Sequence, residues 1–362
     1  MAGMIFLAAL ALCNLASGSS KLDAIGFQRR DLFPEGIDWD ENHGRFLLGS
    51  MGRGSIWSLS DTGKLDLFVE DEDFSGKHPV LGVRVDPSRN RVVAVIHNFD
   101  DSTPAFDAVA SYDLDSSARN FLVRLDSIGA PGSTKKPVAN DVTVDREGNL
   151  YVTNSAHNFI WKVTPDGKNA SVFTESTVLT SPPVVTKDEH VRPCGLNGIV
   201  YHWDNYLLVG QSNTGMLFKT NLRGDQAHLV KISTPLVGGD GMALRQDGAL
   251  IVVSSSKAWL LRSSDHWRSA SVADELRLNE TGFATAVTVR DGLKAYVLYS
   301  FLLELKRGSS RSDFLVERVE FPKDAYDDPV WLILVLVVAV VLVFAWRFQM
   351  SRFFDDYRRK RQ

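Results

Sequence analysis

A short pattern recurs six times between Gly36 and Leu298, and it limits the fold more than any other feature of this 362-residue chain. Each copy joins an alternating apolar run, a polar turn that often carries Asp with Gly or Asn, and a more continuously apolar run. The copies are GIDWDENHGRFLLGS from Gly36, GVRVDPSRNRVVAV from Gly82, DVTVDREGNLYVT from Asp141, GIVYHWDNYLLVG from Gly198, GMALRQDGALIVV from Gly241 and AVTVRDGLKAYVL from Ala286. In the third, Val142 and Val144 precede Asp145-Arg146-Glu147-Gly148-Asn149, and Leu150 and Val152 follow it. Turn formers between two β-rich runs predict a hairpin. Further β-rich segments follow most copies, as in SIWSL at Ser55, AVASYDL at Ala108, FIWKV at Phe159 and MLFKT at Met216, giving three or four strands per unit. About 50 residues per unit suits one four-stranded sheet, and such sheets stack radially. The predicted fold is therefore all-β, a six-bladed β-propeller. An array of two-sheet sandwiches would not keep so regular a period, and no sustained helical period supports a doubly wound α/β fold. Ring closure falls to a terminal strand, near Ala24 to Gln28 or near Phe314 to Phe321.

The two ends of the chain read differently from its middle. Met4 to Cys13 is a ten-residue apolar run followed by the small residues Ala16, Ser17 and Gly18. It is too short to span a bilayer and reads as a signal peptide over residues 1–18, the other reading being a buried N-terminal element. Val330 to Trp346 holds 17 residues without a charge, about 25 Å of helix. With Asp327 and Asp328 before it and Arg347, Arg352, Arg358, Arg359, Lys360 and Arg361 after it, the span is oriented with its basic end in the cytosol. The expected domains are the signal peptide, a propeller over residues 19–326, a transmembrane helix over 327–346 and a basic tail over 347–362. This is a type I single-pass membrane protein of the secretory pathway, in the endoplasmic reticulum or plasma membrane, with the propeller lumenal or extracellular. The sequons at Asn169 and Asn279 accord with that side and mark expected glycosylation. The terminal basic cluster serves as membrane anchor or as a retrieval signal. Forty basic against 44 acidic side chains leave no positive field for a nucleic acid. A form lacking Cys13 keeps only Cys194 and no internal disulfide.

In a propeller, residues at one repeat phase converge on the central channel. The residue before each inner strand is Glu35, Leu81, Asn140, Asn197, Asp240 or Thr285. Glu35, Asn140, Asn197 and Asp240 offer hard oxygen donors with a summed charge of −2. That set suits calcium, whereas zinc would call for His or Cys. Any one of these residues alone is equally a turn residue. Gly36, Gly198 and Gly241 follow three of them and are expected to permit tight turning.

These motifs, Glu35-Gly36, Asn140-Asp141, Asn197-Gly198 and Asp240-Gly241, resemble the senescence-marker-protein/gluconolactonase-like (regucalcin-like) family of the calcium-dependent phosphotriesterase superfamily, over about residues 30 to 305. The resemblance implies a six-bladed propeller whose central calcium is held by those four side chains. It further implies metal-dependent hydrolysis of a small-molecule lactone, ester or phosphotriester, with Asp240 or a metal-bound water attacking. His97 stands where a paraoxonase histidine of the second blade would stand and is the candidate base, with His157 as another. Either is equally a histidine satisfied by core or loop hydrogen bonds. Asp141 is a candidate for orienting Asn140 or Asp240, or for capping a turn.

Sugar-lactone hydrolases of the group carry an Arg where this chain has Val138, followed by Ala139. An apolar rim favours a hydrophobic ester or lactone over an aldonolactone. Paraoxonases have a structural disulfide that this chain cannot form, and strictosidine synthases have generally lost the metal set that it keeps. The competing reading is a non-catalytic, calcium-stabilised propeller serving as a protein-interaction module, a distinction the fold does not make.

Overall fold

The third repeat shows how the pattern becomes structure in the computed structural model, which describes residues 24–129, 135–180, 184–321 and 330–359. Strands Ala139–Val144 and Leu150–Asn154 pair antiparallel, Val142 opposite Val152 and Val144 opposite Leu150. Their β-branched residues suit the pleated, buried surface. In the turn, the Asn149 N–H donates to Asp145 Oδ1 at 2.8 Å and the Gly148 N–H to the Asp145 carbonyl at 3.0 Å. Gly148 takes a φ of 87°, open to a residue without Cβ. Strands Phe159–Val163 and Ala170–Thr174 complete a four-stranded meander.

The same meander recurs. One sheet holds Pro34–Asp40, Arg45–Ser50, Ser55–Leu59 and Leu65–Val69, and another Val80–Asp86, Arg91–His97, Asp107–Asp113 and Arg119–Arg124. An eight-stranded sheet contains two meanders, one starting at Leu196–His202 and ending at Ala227–Ile232, the other starting at Met242–Leu244 and ending at Ser269–Arg277. Their outer strands touch through a brief parallel pairing of Lys231 with Ser269 and Ile232 with Ala270. The last sheet runs Ala284–Arg290, Lys294–Tyr299 and Asp313–Val319, and its outer edge is the N-terminal strand Ala24–Gln28. The sequence left the closing strand open between the two termini. Both lie in this one sheet, where Phe27 stacks on Phe314 at 6.1 Å and both rings are buried.

The first strands of the meanders pack in succession, each on the next, and Ala284–Arg290 packs back on Pro34–Asp40. The ring of inner strands is closed. Between neighbouring sheets lies the core: Val93, Val95 and Val109 meet Val142, Leu150, Val152 and Trp161. Leu47 and Ile56 likewise meet Val92 and Tyr112, and Leu208 and Leu217 meet Leu250 and Trp259. Each such side chain contributes about 1.5–3 kcal/mol on full burial, so the stacked faces hold the inner strands in fixed register around the axis.

The chain divides into two compact units, Met1–Val319 and Glu320–Gln362. The second contains one helix, Val330–Arg359, of which Leu334–Arg352, with a mean hydropathy of 2.1, is long and apolar enough to cross a membrane. The helix does not stop at the expected end of the span, Trp346. Residues 347–359 contain neither Gly nor Pro to end it. The predicted signal peptide, Asp327, Asp328 and Lys360 to Gln362 lie outside the described residues.

Candidate metal-binding and active site

Five of the six inner strands carry an irregularity at the phase of the site residues. Pairing with the second strand of the sheet shifts register between Pro34 and Ile37, Val80 and Val83, Ala139 and Val142, Leu196 and Ile199, and Ala284 and Ala286. A bulge at this point re-aims the intervening side chains. Asp240 and Gly241 instead precede their strand, tied by an Asp240 N–H to Val253 carbonyl bond of 2.7 Å and a Val253 N–H to Gly241 carbonyl bond of 3.1 Å. Glu35, Asn140, Asn197 and Asp240 consequently line one cavity, together with Asp141, Arg84 and Thr285. Leu81 does not line it, and Gly82 takes its place.

The glycines do something other than what the sequence suggested. Gly36, Gly198 and Gly241 have no left-handed φ. They matter because neighbouring inner strands come too close for a side chain. A Cβ on Gly36 would overlap the Leu81 carbonyl and one on Gly198 the Asp240 carbonyl, while on Gly82 it would sit 2.5 Å from Asp141 Oδ1. Thr285 continues the chain of contacts by donating its hydroxyl to the Glu35 carbonyl at 2.8 Å. The site residues thus form a tight collar, and the cavity inside has a free volume of about 20 Å³. That is room for an ion or a water, not for an ester-sized molecule.

Two serines that sequence reasoning missed set the direction of the amides. Ser155 donates its hydroxyl to the Leu196 carbonyl at 2.6 Å, and Ser212 donates to the Gly239 carbonyl at 2.7 Å. A hydroxyl has one proton, so toward the asparagines both serines can only accept. Asn140 Nδ2 donates to Ser155 at 3.0 Å and Asn197 Nδ2 to Ser212 at 3.1 Å, which turns both amide carbonyls away from the serines. The signal was present: Ser155, Ser212, Ser255 and Ser300 occupy one repeat phase. Asp141 is held by the backbone, accepting from the N–H of Val142 at 2.8 Å and of Ile199 at 3.1 Å, which joins adjacent inner strands.

The donor set is all oxygen. Among the described residues no group of three or more His, Cys, Asp or Glu side chains is placed to hold a metal ion. A cation here would therefore depend on the two amide carbonyls beside Glu35 and Asp240. The chemistry of that mixed set, with the small volume, fits calcium.

Electrostatics in the collar favour an added positive charge. Burial pushes the Glu35 carboxyl well above its usual range, and Asp240 and Asp141 push it further. Burial raises Asp240 to about 7, with the Asn197 amide and Lys306 opposing and Asp141 adding to the rise. Asp141 is raised to about 6, again by burial, against the pull of Arg84 and two backbone N–H groups. All three bind protons more tightly folded than unfolded, so their ionisation destabilises the fold. Without divalent cation the protein should lose stability as pH rises from about 4 to about 7. His78 and His202, whose protonation burial disfavours, act in the opposite sense. Thermal melts at pH 5 and 7.5, each with chelator and with calcium, isolate the collar: the calcium-induced rise should be larger at pH 7.5.

The candidate bases lie off the cavity wall. His97 is 4% exposed, its Nδ1 is 2.8 Å from Asp107 Oδ1, and its ring meets Phe99 edge-on at 4.5 Å. The same Asp107 oxygen accepts the Ala139 N–H at 2.6 Å. His157 Nε2 is 3.0 Å from the Lys135 carbonyl. Val138 and Ala139 do not line the cavity either, and Ala139 is fully buried. Asn169 and Asn279 are exposed. Burial raises the Cys194 thiol to about 11.

Comparison with solved structures places this architecture. The major allergen Mala s 1 of Malassezia sympodialis superposes with a TM-score of 0.68 at 21% identity, over 82% of this chain and 96% of that one. A gluconolactonase of Xanthomonas campestris gives 0.52 at 16% identity, over 84% and 93%. A glucose dehydrogenase gives 0.51 at 14% identity, over 82% and 99%. The fold is a gluconolactonase-like β-propeller. No protein-family model matches the chain, and no curated protein matches it. Propellers of this kind carry different chemistries, so at such identities the likeness speaks to architecture alone.

Proposed function

We propose that this chain is a membrane-anchored, calcium-dependent hydrolase of a small lactone, ester or phosphotriester. The observation that carries the reading is the convergence of Glu35, Asn140, Asn197 and Asp240 on one cavity, two amides held by serines and two carboxylates raised by burial. On this reading the eight-stranded sheet is two blades, the propeller has six, and the helix Val330–Arg359 anchors it in a secretory-pathway membrane. The gluconolactonase of Xanthomonas campestris shares the architecture, and the substrate class is proposed from the motifs Glu35-Gly36, Asn140-Asp141, Asn197-Gly198 and Asp240-Gly241. Calcium, when bound, would polarise the carbonyl or phosphoryl oxygen of the substrate.

The protein's own groups then have distinct tasks. Asn140 and Asn197 present carbonyls already oriented by Ser155 and Ser212, so little reorganisation is needed. Asp240, in the same collar, takes the proton of the attacking water. Asp141 holds two inner strands together. The collar has room for an ion or a water, so the substrate stays in the mouth above it. Phe99, Val184 and Val185 are 53%, 48% and 52% exposed and are the apolar side chains proposed to meet the substrate. His97, off the cavity wall, is left out of the chemistry. His97→Gln should leave kcat unchanged and lower the melting temperature, because Asp107 loses a buried partner worth roughly 1–3 kcal/mol.

One observation favours a second reading, a non-catalytic propeller whose calcium ties the inner strands together: the cavity is only ion-sized. The full-length protein in detergent, stripped with chelator and then resupplied with calcium, should be assayed against aryl esters, lactones and phosphotriesters. Calcium-dependent turnover, greatest on apolar substrates, is the expected result. Thermal stabilisation by calcium with no turnover of any substrate would leave the structural reading.

A further inference from the structure

The inner strand Val80–Asp86 gives the collar no donor, since Leu81 and Gly82 hold its place in the ring. What it gives instead is a charge. We propose that Arg84 is a resident cation that weakens and thereby sets the affinity of the cavity for its divalent ion, an inference that rests on reading the cavity as a calcium site.

Arg84 lines the same cavity as Glu35, Asp141 and Asp240, and its strand is pressed against the Asp141 carboxylate at Gly82. Its nearest carboxylate is Asp38, but that group is already engaged. Asp38 Oδ2 accepts the Val85 N–H at 2.8 Å and Asp38 Oδ1 the Thr288 hydroxyl at 2.7 Å. Arg84 Nη1 lies 3.6 Å from Asp38 Oδ2, beyond hydrogen-bond distance, and the Arg84 Nε–H is buried without an acceptor. A guanidinium cannot shed its proton in a protein, so the positive charge is permanent. It is only loosely paired with Asp38, its side chain is 22% exposed, and it acts on the whole collar.

Three carboxylates, Glu35, Asp141 and Asp240, line the cavity with that one guanidinium, and a fourth, Asp38, stands 3.6 Å from it. Without Arg84 they would over-neutralise a divalent ion, binding it tightly and leaving it a weak electrophile. With Arg84 the ion is held less tightly and keeps more of its charge for the substrate. The other inner strands place Asp38, Thr143, Val200, Ala243 and Thr288 at the phase of Arg84, so Arg84 is the one cation at that phase, while Lys306 acts from elsewhere on Asp240.

The test is calorimetric titration of calcium chloride into chelator-stripped, full-length protein in detergent. Arg84→Met should bind calcium about tenfold more tightly or better, because a like charge within the low-dielectric cavity has been removed. Arg84→Lys keeps the charge and should stay within about threefold of the parent protein, and Asp38→Asn with Arg84→Met, which removes both charges, should return to that range. If Arg84→Met does not fold, Arg84→Gln makes the same change of charge. Calcium binding in the parent protein with equal or weaker affinity in the neutral variant overturns the role of Arg84 alone. A parent protein that binds no divalent cation overturns the metal reading of the cavity, and this inference with it.

Discussion

Asp240→Asn should cost the protein its calcium response and its calcium-dependent turnover together, while leaving the fold intact. Asn has nearly the same size and can still hydrogen-bond the Asn197 amide, so the collar keeps its packing. What disappears is one of the two formal charges among the four proposed ligands. In the metal-free protein the change is neutral or stabilising, because a carboxylate whose proton affinity burial has raised to about 7 no longer has to ionise at neutral pH. With calcium a hundredfold above its dissociation constant, the parent protein gains about 2.7 kcal/mol. For a domain of this size that is roughly a 4 °C rise in melting temperature. The variant should lose most of that rise. Its hydrolysis rate should fall by about 10²–10³-fold, the usual cost of removing one group that stabilises developing charge. Paired melts and assays, with and without chelator, check both. A variant that keeps the calcium-induced rise and the turnover removes Asp240 from the site.

The repeat made most of the architecture legible, for a physical reason: alternation and turn chemistry are local, and six copies of one local pattern average out the ambiguity of any single copy. Two features stayed hidden because they are relations between strands. The bulges that aim Glu35, Asn140 and Asn197 into the cavity exist only in the register of one strand against another. The glycines were taken as turn residues because sequence records a missing Cβ without recording what would have struck it. His97 is named through its likeness to a paraoxonase histidine; it does not line the cavity, and its Nδ1 is engaged by Asp107. Ser155 and Ser212 could have been read from the repeat phase. A serine at a strand end is so common that its partner, the Asn amide, is what gives it meaning.

The collar itself can be tested without reference to any ion. Gly241→Ala adds a single methyl group, which would stand 2.7 Å from Ala286 Cα and 2.8 Å from the Thr285 carbonyl. Both are backbone atoms, so no side chain can rotate out of the way. The strands cannot part easily either, because the Gly241 N–H donates to that same Thr285 carbonyl at 2.8 Å and stacked cores fix the sheets on either side. Overpacking of this kind costs roughly 1–3 kcal/mol, or more where the backbone must move. The expected fall in melting temperature is about 2–5 °C, present equally with chelator and with calcium. Gly26→Ala is the matched control, since a Cβ there meets nothing within 4 Å, and it should change the melting temperature little. Equal melting temperatures for the two variants would mean that the inner strands stand further apart than the collar requires. The four proposed ligands would then no longer be held within reach of a common ion.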